Sequence, residues 1–333
     1  MKGLVIFKRI YWGLLLLSTS ANAQWYQHSF EVMGTMSHVE FWLDNSEVEK
    51  EQAINDKADT LIQVVKQEMI RIDQQMSPYI EQSELSKINR EAGVKAVKIS
   101  QELFDLLIIA QNISTLSDGA FDITYASIGY QYNYREQKRP NQQAIIEALP
   151  LIDYASVQLE SSKLTVRYTS DQVKIDLGGI AKGYAVKRCL ALLKSAGVQN
   201  ALVSAGGDTG LLGDRYGRPW LVAIKHPRAE NKNAAVIPLT NEAISTSGDY
   251  ERYFVEDGVR YHHIINPKTG DSARKVVSVS IIGDDPTYVD ALSTTVFVKG
   301  LTVGMQLINN LDNFEAIIID NKQRLHFSNG LQQ

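Results

Sequence analysis

The chain has 333 residues, 44% hydrophobic and 22% charged, with a formal charge of −4. That is enough apolar material to close a core without disulfides, and a single cysteine, Cys189, can form none internally. The acidic balance argues against nucleic acid as a partner, and the lack of Cys-x-x-Cys or His-x-x-x-His spacing leaves oxygen ligands for any metal.

At the N-terminus, Lys2, Lys8 and Arg9 precede an apolar stretch from Ile10 to Leu17 and the triplet Ala21-Asn22-Ala23. This is a secretory signal pattern with a mature start at Gln24. The stretch is shorter than the roughly 20 residues of a comfortable span. With no cysteine near it, no lipobox is possible. Loss of residues 1–23 removes three basic and no acidic side chains, taking the charge from −4 to −7. The expectation is an exported, periplasmic protein, soluble or signal-anchored at the inner membrane and not a lipoprotein, with 24–333 as a single domain.

Phe30, Val32, Val39, Phe41 and Leu43 alternate over 29–43 as a strand pair broken at Met33-Gly34-Thr35-Met36. Over 47–76, Ile54, Ala58, Leu61, Val65, Ile72 and Met76 fall near one face of a helix that ends at Ser77-Pro78-Tyr79. A short helix is predicted after Ser83. A third runs from about Gln101 to Leu116 and stops at Ser117-Asp118-Gly119, before a strand-like stretch that begins Ala120-Phe121-Asp122-Ile123-Thr124. Tyr130 to Pro150 is polar, holds Arg139-Pro140-Asn141, and reads as a surface excursion followed by a short helix.

Next, Val173 to Asp176 reads as a strand end, broken at Gly178-Gly179. A helix restarts through Ala181, Ala185, Cys189, Leu192 and Ala196, with Gly197 as its C-cap. Cys189 lies on the packing face and reads as a buried structural thiol. Segments near 201–205, 220–224, 235–239, 276–282 and 314–319 read as strands, and Asp290 opens an apolar helix. The class is α+β, in two lobes that pack into one unit.

A glycine pair at a helix start admits a ligand close to backbone, and the helix N-terminus favours an anion. The spacing matches neither Gly-x-Gly-x-x-Gly nor the P-loop, because Gly183 follows Lys182. Taken singly, Asp290 reads as a helix N-cap, Thr294 as a core-facing hydroxyl, Tyr79 as a packing aromatic, and His263, like His262, as a structural histidine.

Their combination says more. The ordered motifs are Met33-Gly34-Thr35, Ser77-Pro78-Tyr79 with Ser83-Glu84-Leu85, and Gly119-Ala120-Phe121-Asp122. They continue with Asp176 to Tyr184, Gly206-Gly207, Ser245 to Gly248, His263 to Gly270, and Asp290 to Thr294. Together they make the chain similar to the ApbE family of FAD:protein FMN transferases over nearly the whole mature length. The resemblance implies an ApbE-like, T-fold-like arrangement of mixed sheets with flanking helices and an FAD cleft between lobes. It implies an exported enzyme that binds FAD with Mg2+, attaches FMN through a phosphoester to a threonine of a target protein, and releases AMP. The acceptors it implies are subunits of membrane redox complexes, such as the sodium-translocating NADH:quinone reductase.

The same resemblance implies FAD contacts from Met33, Tyr79, Ala120, Phe121, Asp122, Asp176, Lys182 and Ile265. It implies magnesium ligation by the Gly179 backbone oxygen, Asp290 and Thr294, and His263 as the base. Asp290 and Thr294, four apart, share a helix face, so both can address one ion. Two positions depart from the family: Asn266 where aspartate is common, and Ser293 where some relatives place a second aspartate. Fewer anionic ligands are therefore expected around the magnesium. Two other functions use the same residues, an FAD pyrophosphatase with water as acceptor and a flavin-binding protein without turnover.

Overall fold

The computed structural model describes residues 24–44 and 51–332, so the expected signal segment lies outside the described residues. Among the described residues, no helix is long and apolar enough to cross a membrane.

Strands β1 (Gln24–Val32) and β2 (Thr35–Leu43) form an antiparallel hairpin whose turn, Met33-Gly34, has φ of 54° and 68°. Two left-handed residues give the turn whose twist matches the strands. Helix α1 (Glu51–Met76) lies on this hairpin, with the six apolar residues of the expected stripe all buried. Residues 47–50, expected to begin the helix, lie outside the described residues.

Ser83 caps α2 (Glu84–Glu91), its Oγ accepting the Ser86 N–H at 2.9 Å. After β3 (Val97–Lys98) comes α3 (Gln101–Leu116), capped in the same way by Ser100. The expected strand beyond it does not form. Asp122 instead caps a 3-10 turn, Ile123–Tyr125, that runs into α4 (Ala126–Gly129), because its carboxylate accepts the Thr124 N–H at 2.8 Å. Helix α5 (Gln142–Ala148) follows the polar excursion, and β4 (Val157–Glu160) and β5 (Thr165–Tyr168) join β3 in a small antiparallel sheet.

The segment 173–176 is also not a strand. It is held without a strand partner. The Asn89 side chain of α2 accepts the Ile175 N–H at 2.8 Å and donates to the Ile175 carbonyl at 2.9 Å. Asp176 N–H donates to the Ile123 carbonyl at 3.0 Å. A side-chain amide thus does what a neighbouring strand would do, and the apolar alternation is the same in both cases. Gly178-Gly179 then leads into α6 (Ala181–Ser195), after which Gly197 adopts φ 86° as the expected C-terminal glycine. Cys189 is buried, donates to the Val65 carbonyl at 3.6 Å, and has its thiol pushed up to about 12 by burial. It is a structural thiol.

The remaining chain is mainly sheet. It comprises β6 (Ala201–Ala205), β7 (Asp208–Leu212), the hairpin β8 (Trp220–Lys225) and β9 (Asn233–Leu239), and β10 (Ala243–Gly248). Two small hairpins follow, β11 (Tyr253–Glu256) with β12 (Val259–His262) and β13 (Ile265–Asn266) with β14 (Asp271–Ser272). The chain closes with β15 (Ser278–Gly283), α7 (Pro286–Lys299), α8 (Leu301–Asn309), β16 (Phe314–Ile319) and β17 (Leu325–Phe327).

One antiparallel sheet runs β1-β2-β6-β7-β10-β15-β16-β17, so order in space is order along the chain. Everything else is inserted into that meander, with the helical lobe between β2 and β6. Helix α7 packs on β10 and β15 and also against α6, and is buried nearly all round. Its start differs from expectation. Asp285 is the cap, accepting the Thr287 N–H at 2.9 Å, with Pro286 in the first turn. Asp290 is therefore interior to the helix, and its carboxylate is released from capping.

Candidate active site

The site begins where α6 meets α7. A Cβ at Gly183 would stand 2.1 Å from the Pro286 carbonyl oxygen and 2.7 Å from Asp290 Cβ. Only glycine permits this approach. It lets the Gly183 N–H donate to Asp290 Oδ2 at 2.9 Å and brings Lys182 over the same carboxylate, with Nζ 3.9 Å from Oδ1. Lys182 also bonds directly to Asp208, at the start of β7.

These charges govern one another. Burial, with Asp208 nearby, pushes the Asp290 carboxyl well above the usual range against the opposing pull of Lys182. Burial also works against the Lys182 ammonium, but the Asp208 and Asp290 carboxylates outweigh it and hold that pKa above its ordinary value. From Asp208 a line of hydroxyls leads across the sheet to α7. Ser245 donates to Asp208, Ser245 Oγ is 3.2 Å from Ser293 Oγ, Ser293 is 2.8 Å from Ser247, and Ser247 is 3.4 Å from Thr294.

Gly179 closes the far side, since a Cβ there would lie 3.3 Å from both Thr294 Oγ1 and the Phe121 ring. Asp290, Thr294 and the Gly179 backbone thus come together from segments far apart in sequence. Among the described residues, no group of three or more His, Cys, Asp or Glu side chains could hold a metal. The donors present are a carboxylate, hydroxyls and backbone, a hard-oxygen set suited to magnesium. Two buried carboxylates facing one ammonium also leave negative charge that a divalent ion would balance. Ser293, the departure from an aspartate, donates back to the Asp290 carbonyl at 2.8 Å and bridges the serine line. Asp208 and Ser245 escaped sequence reading as chemical groups, although each lies in or beside a motif singled out there. The signal was the acid directly after Gly206-Gly207.

On the helical-lobe side, Asp176 accepts from the Gly178 N–H at 2.7 Å, Tyr125 at 3.1 Å and Tyr130 at 3.4 Å, and burial raises its pKa. Asp122 has both oxygens engaged, by Thr124 and by the Tyr154 N–H at 2.9 Å, and burial raises it too. Gly119, Asp122, Tyr154, Pro267 and Lys268 line a cleft of about 500 Å³ between this lobe and the β13–β14 hairpin. Lys268, one of the lining residues, also donates to Asp118 at 3.1 Å. Ala120, Phe121 and Ile265 are buried, and Met33 sits in the β1–β2 turn. Tyr79 is 82% exposed, leaving a free aromatic face.

The adjacent histidines have different surroundings. His262 bonds to the Ala273 carbonyl at 2.6 Å through Nε2 and accepts the Ile264 N–H at 3.3 Å through Nδ1, so it is structural as expected. His263 Nδ1 is buried and, among the described residues, has no hydrogen-bond partner. Burial lowers His262 to about 4, while burial and then the charges of His262, Arg252 and Lys182 lower His263 to about 3. Both rings are neutral when folded, whereas the unfolded chain protonates them near 6.5. Their stabilising contribution is complete above about 6.5 and is lost as pH falls toward 4 for His262 and toward 3 for His263, because the unfolded state then binds more protons. In urea unfolding at pH 7.5 and 5.0, His262→Gln is expected to show a smaller acid-induced loss of midpoint than the wild type. Equal losses would remove His262 from that proton uptake.

Asn266 accepts the Lys268 N–H at 3.0 Å through Oδ1, the same turn bond an aspartate would make.

Solved structures share this architecture. Over 93% of this chain, the ApbE protein of Thermotoga maritima superposes with a TM-score of 0.83 at 34% identity, covering 98% of that chain. The flavin transferase ApbE of Vibrio cholerae gives a TM-score of 0.81 at 26% identity, covering 99% of its own length. A model of the ApbE family matches residues 33–318, and the chain belongs to that family. Relatives named FAD:protein FMN transferase include one from Treponema pallidum, 32% identical over 93% of this chain and 89% of its own. Another, from Haemophilus influenzae, is 30% identical over 88% and 86%.

Proposed function

We propose that the protein is an exported FAD:protein FMN transferase that uses magnesium and joins FMN to a threonine of an acceptor protein. The observation that carries this reading is the meeting of Asp290, Thr294 and Gly179 beside Lys182, in a chain whose relatives of that name align along most of its length. The acceptor threonine oxygen attacks the phosphorus of the FMN half of FAD, a P–O bond forms, and the diphosphate P–O bond to AMP breaks. AMP carries away that electron pair. The hydroxyl proton passes to His263, whose ring is neutral at neutral pH and so keeps one nitrogen free to accept it.

Asp290, Thr294 and the Gly179 backbone would hold magnesium, which supplies charge neutralisation for the diphosphate. Met33, Tyr79, Ala120, Phe121, Asp122, Asp176, Lys182 and Ile265 surround FAD, with Tyr79 offering a ring to stack on. The acceptors are subunits of membrane redox complexes, such as the sodium-translocating NADH:quinone reductase. The N-terminal signal pattern supports a periplasmic location.

The test is incubation of the mature protein with FAD, magnesium and such a subunit, with intact-mass analysis and detection of AMP. A mass gain of one FMN is expected together with AMP. AMP and free FMN without labelling would make water the acceptor, and bound FAD without AMP would overturn the transferase reading.

A further inference from the structure

Arg252 is a cation at this site that the fold leaves almost unused. It lies in the loop between β10 and β11, where the chain passes the Met33-Gly34 turn. Its Nη2 reaches the Gly34 carbonyl at 3.4 Å, and its own carbonyl accepts the His263 N–H at 3.1 Å. The side chain is exposed, and among the described residues no carboxylate pairs with it. Five donors sharing one long bond leave the guanidinium free to take an anion. The neighbouring cations are committed: Lys182 to Asp208, and Arg228 and Arg260 to Asp249. Arg252 is nonetheless close enough for its charge to act on Asp176, Lys182 and His263, three groups from separate segments of the centre.

We propose that Arg252 grips the phosphoryl group that is transferred, with its planar fork on the non-bridging oxygens of the FMN phosphate of FAD. This rests on the transferase reading. A diphosphate entering the centre meets the buried acids Asp176, Asp208 and Asp290, while Lys182 is already engaged by two of them. A metal on the Asp290 side leaves the hairpin side of the phosphate unneutralised, and that is where Arg252 stands. Guanidinium matches phosphate geometry through two parallel hydrogen bonds, and giving up a 3.4 Å bond to Gly34 costs little.

The phosphate concerned stays on the flavin, so the contact serves FAD and FMN and is irrelevant to riboflavin. Fluorescence titrations of the mature protein with these three flavins, in EDTA, separate the cases. Arg252→Ala is expected to weaken FAD and FMN about 10- to 100-fold, the range for losing a hydrogen bond to a charged group, and to leave riboflavin unchanged. Arg252→Lys should fall between. Unchanged FMN affinity overturns the proposal. So does an equal loss for riboflavin, which would make Arg252 an organiser of its loop. A wild type that binds none of the three flavins, whether in EDTA or with magnesium, overturns the transferase reading, and this proposal with it.

Discussion

Asp290→Asn is expected to reduce FMN transfer by more than about 100-fold while leaving the fold within about 1 kcal/mol of the wild type. The loss follows from charge. Metal neutralisation of a phosphoryl oxygen is worth several kcal/mol in the transition state, and each 1.36 kcal/mol is a factor of ten. The near-neutral stability follows from the contacts. An asparagine Oδ1 still accepts the Gly183 N–H that now reaches Asp290 at 2.9 Å, and Lys182 keeps its bond to Asp208. Removing the Asp290 charge gives up attraction to Lys182 and also ends repulsion by Asp208, two effects of opposite sign. Turnover assays should be paired with a direct titration of the protein with Mn2+. Wild-type activity and metal affinity in the variant would take Asp290 out of the metal site.

Gly183→Ala should be the more damaging change to the fold, costing about 3 kcal/mol. In a helix, alanine gains about 1 kcal/mol over glycine through backbone entropy. That gain is outweighed here. The new methyl would lie 2.1 Å from the Pro286 carbonyl oxygen, and a backbone atom cannot rotate out of the way. Helices α6 and α7 must separate, and overpacking of this kind costs 1–3 kcal/mol, occasionally more. Because α7 carries Asp290 and Thr294, activity should fall with stability. Urea unfolding measures the first and the FMN-transfer assay the second. A variant as stable as the wild type would show that the two helices have room to move apart. The two substitutions thus give different signatures, activity lost on an intact fold at Asp290 and both lost together at Gly183.

Much of the fold was legible because its local signals agreed with its packing. The α1 stripe, the Met33-Gly34 hairpin turn, the α6 helix with Gly197, and the buried Cys189 each follow from spacing or turn chemistry that tertiary contacts do not oppose. The misreadings at 120–124 and 173–176 have one cause. An extended or capped segment can satisfy its backbone through side chains, Asp122 in one case and Asn89 in the other, and apolar alternation does not record which partner is used. Taken singly, Asp290 reads as a cap because an acid near the start of an apolar helix usually is one, and only the combined motifs make it a metal ligand. Asp285, five residues earlier, had already taken that role.

By itself the sequence determined the class of the fold, its local turns and caps, and the ordered motifs that mark the ApbE family, because these depend on residues close together in the chain. Only the tertiary structure decided that Lys182 is held between Asp208 and Asp290, that Gly183 sets the approach of α6 to α7, and that Arg252 meets the Gly34 carbonyl with no acidic partner among the described residues. Those contacts join strands, helices and loops far apart in sequence. Their distances are set when the helical lobe packs on the sheet, and no local pattern encodes them.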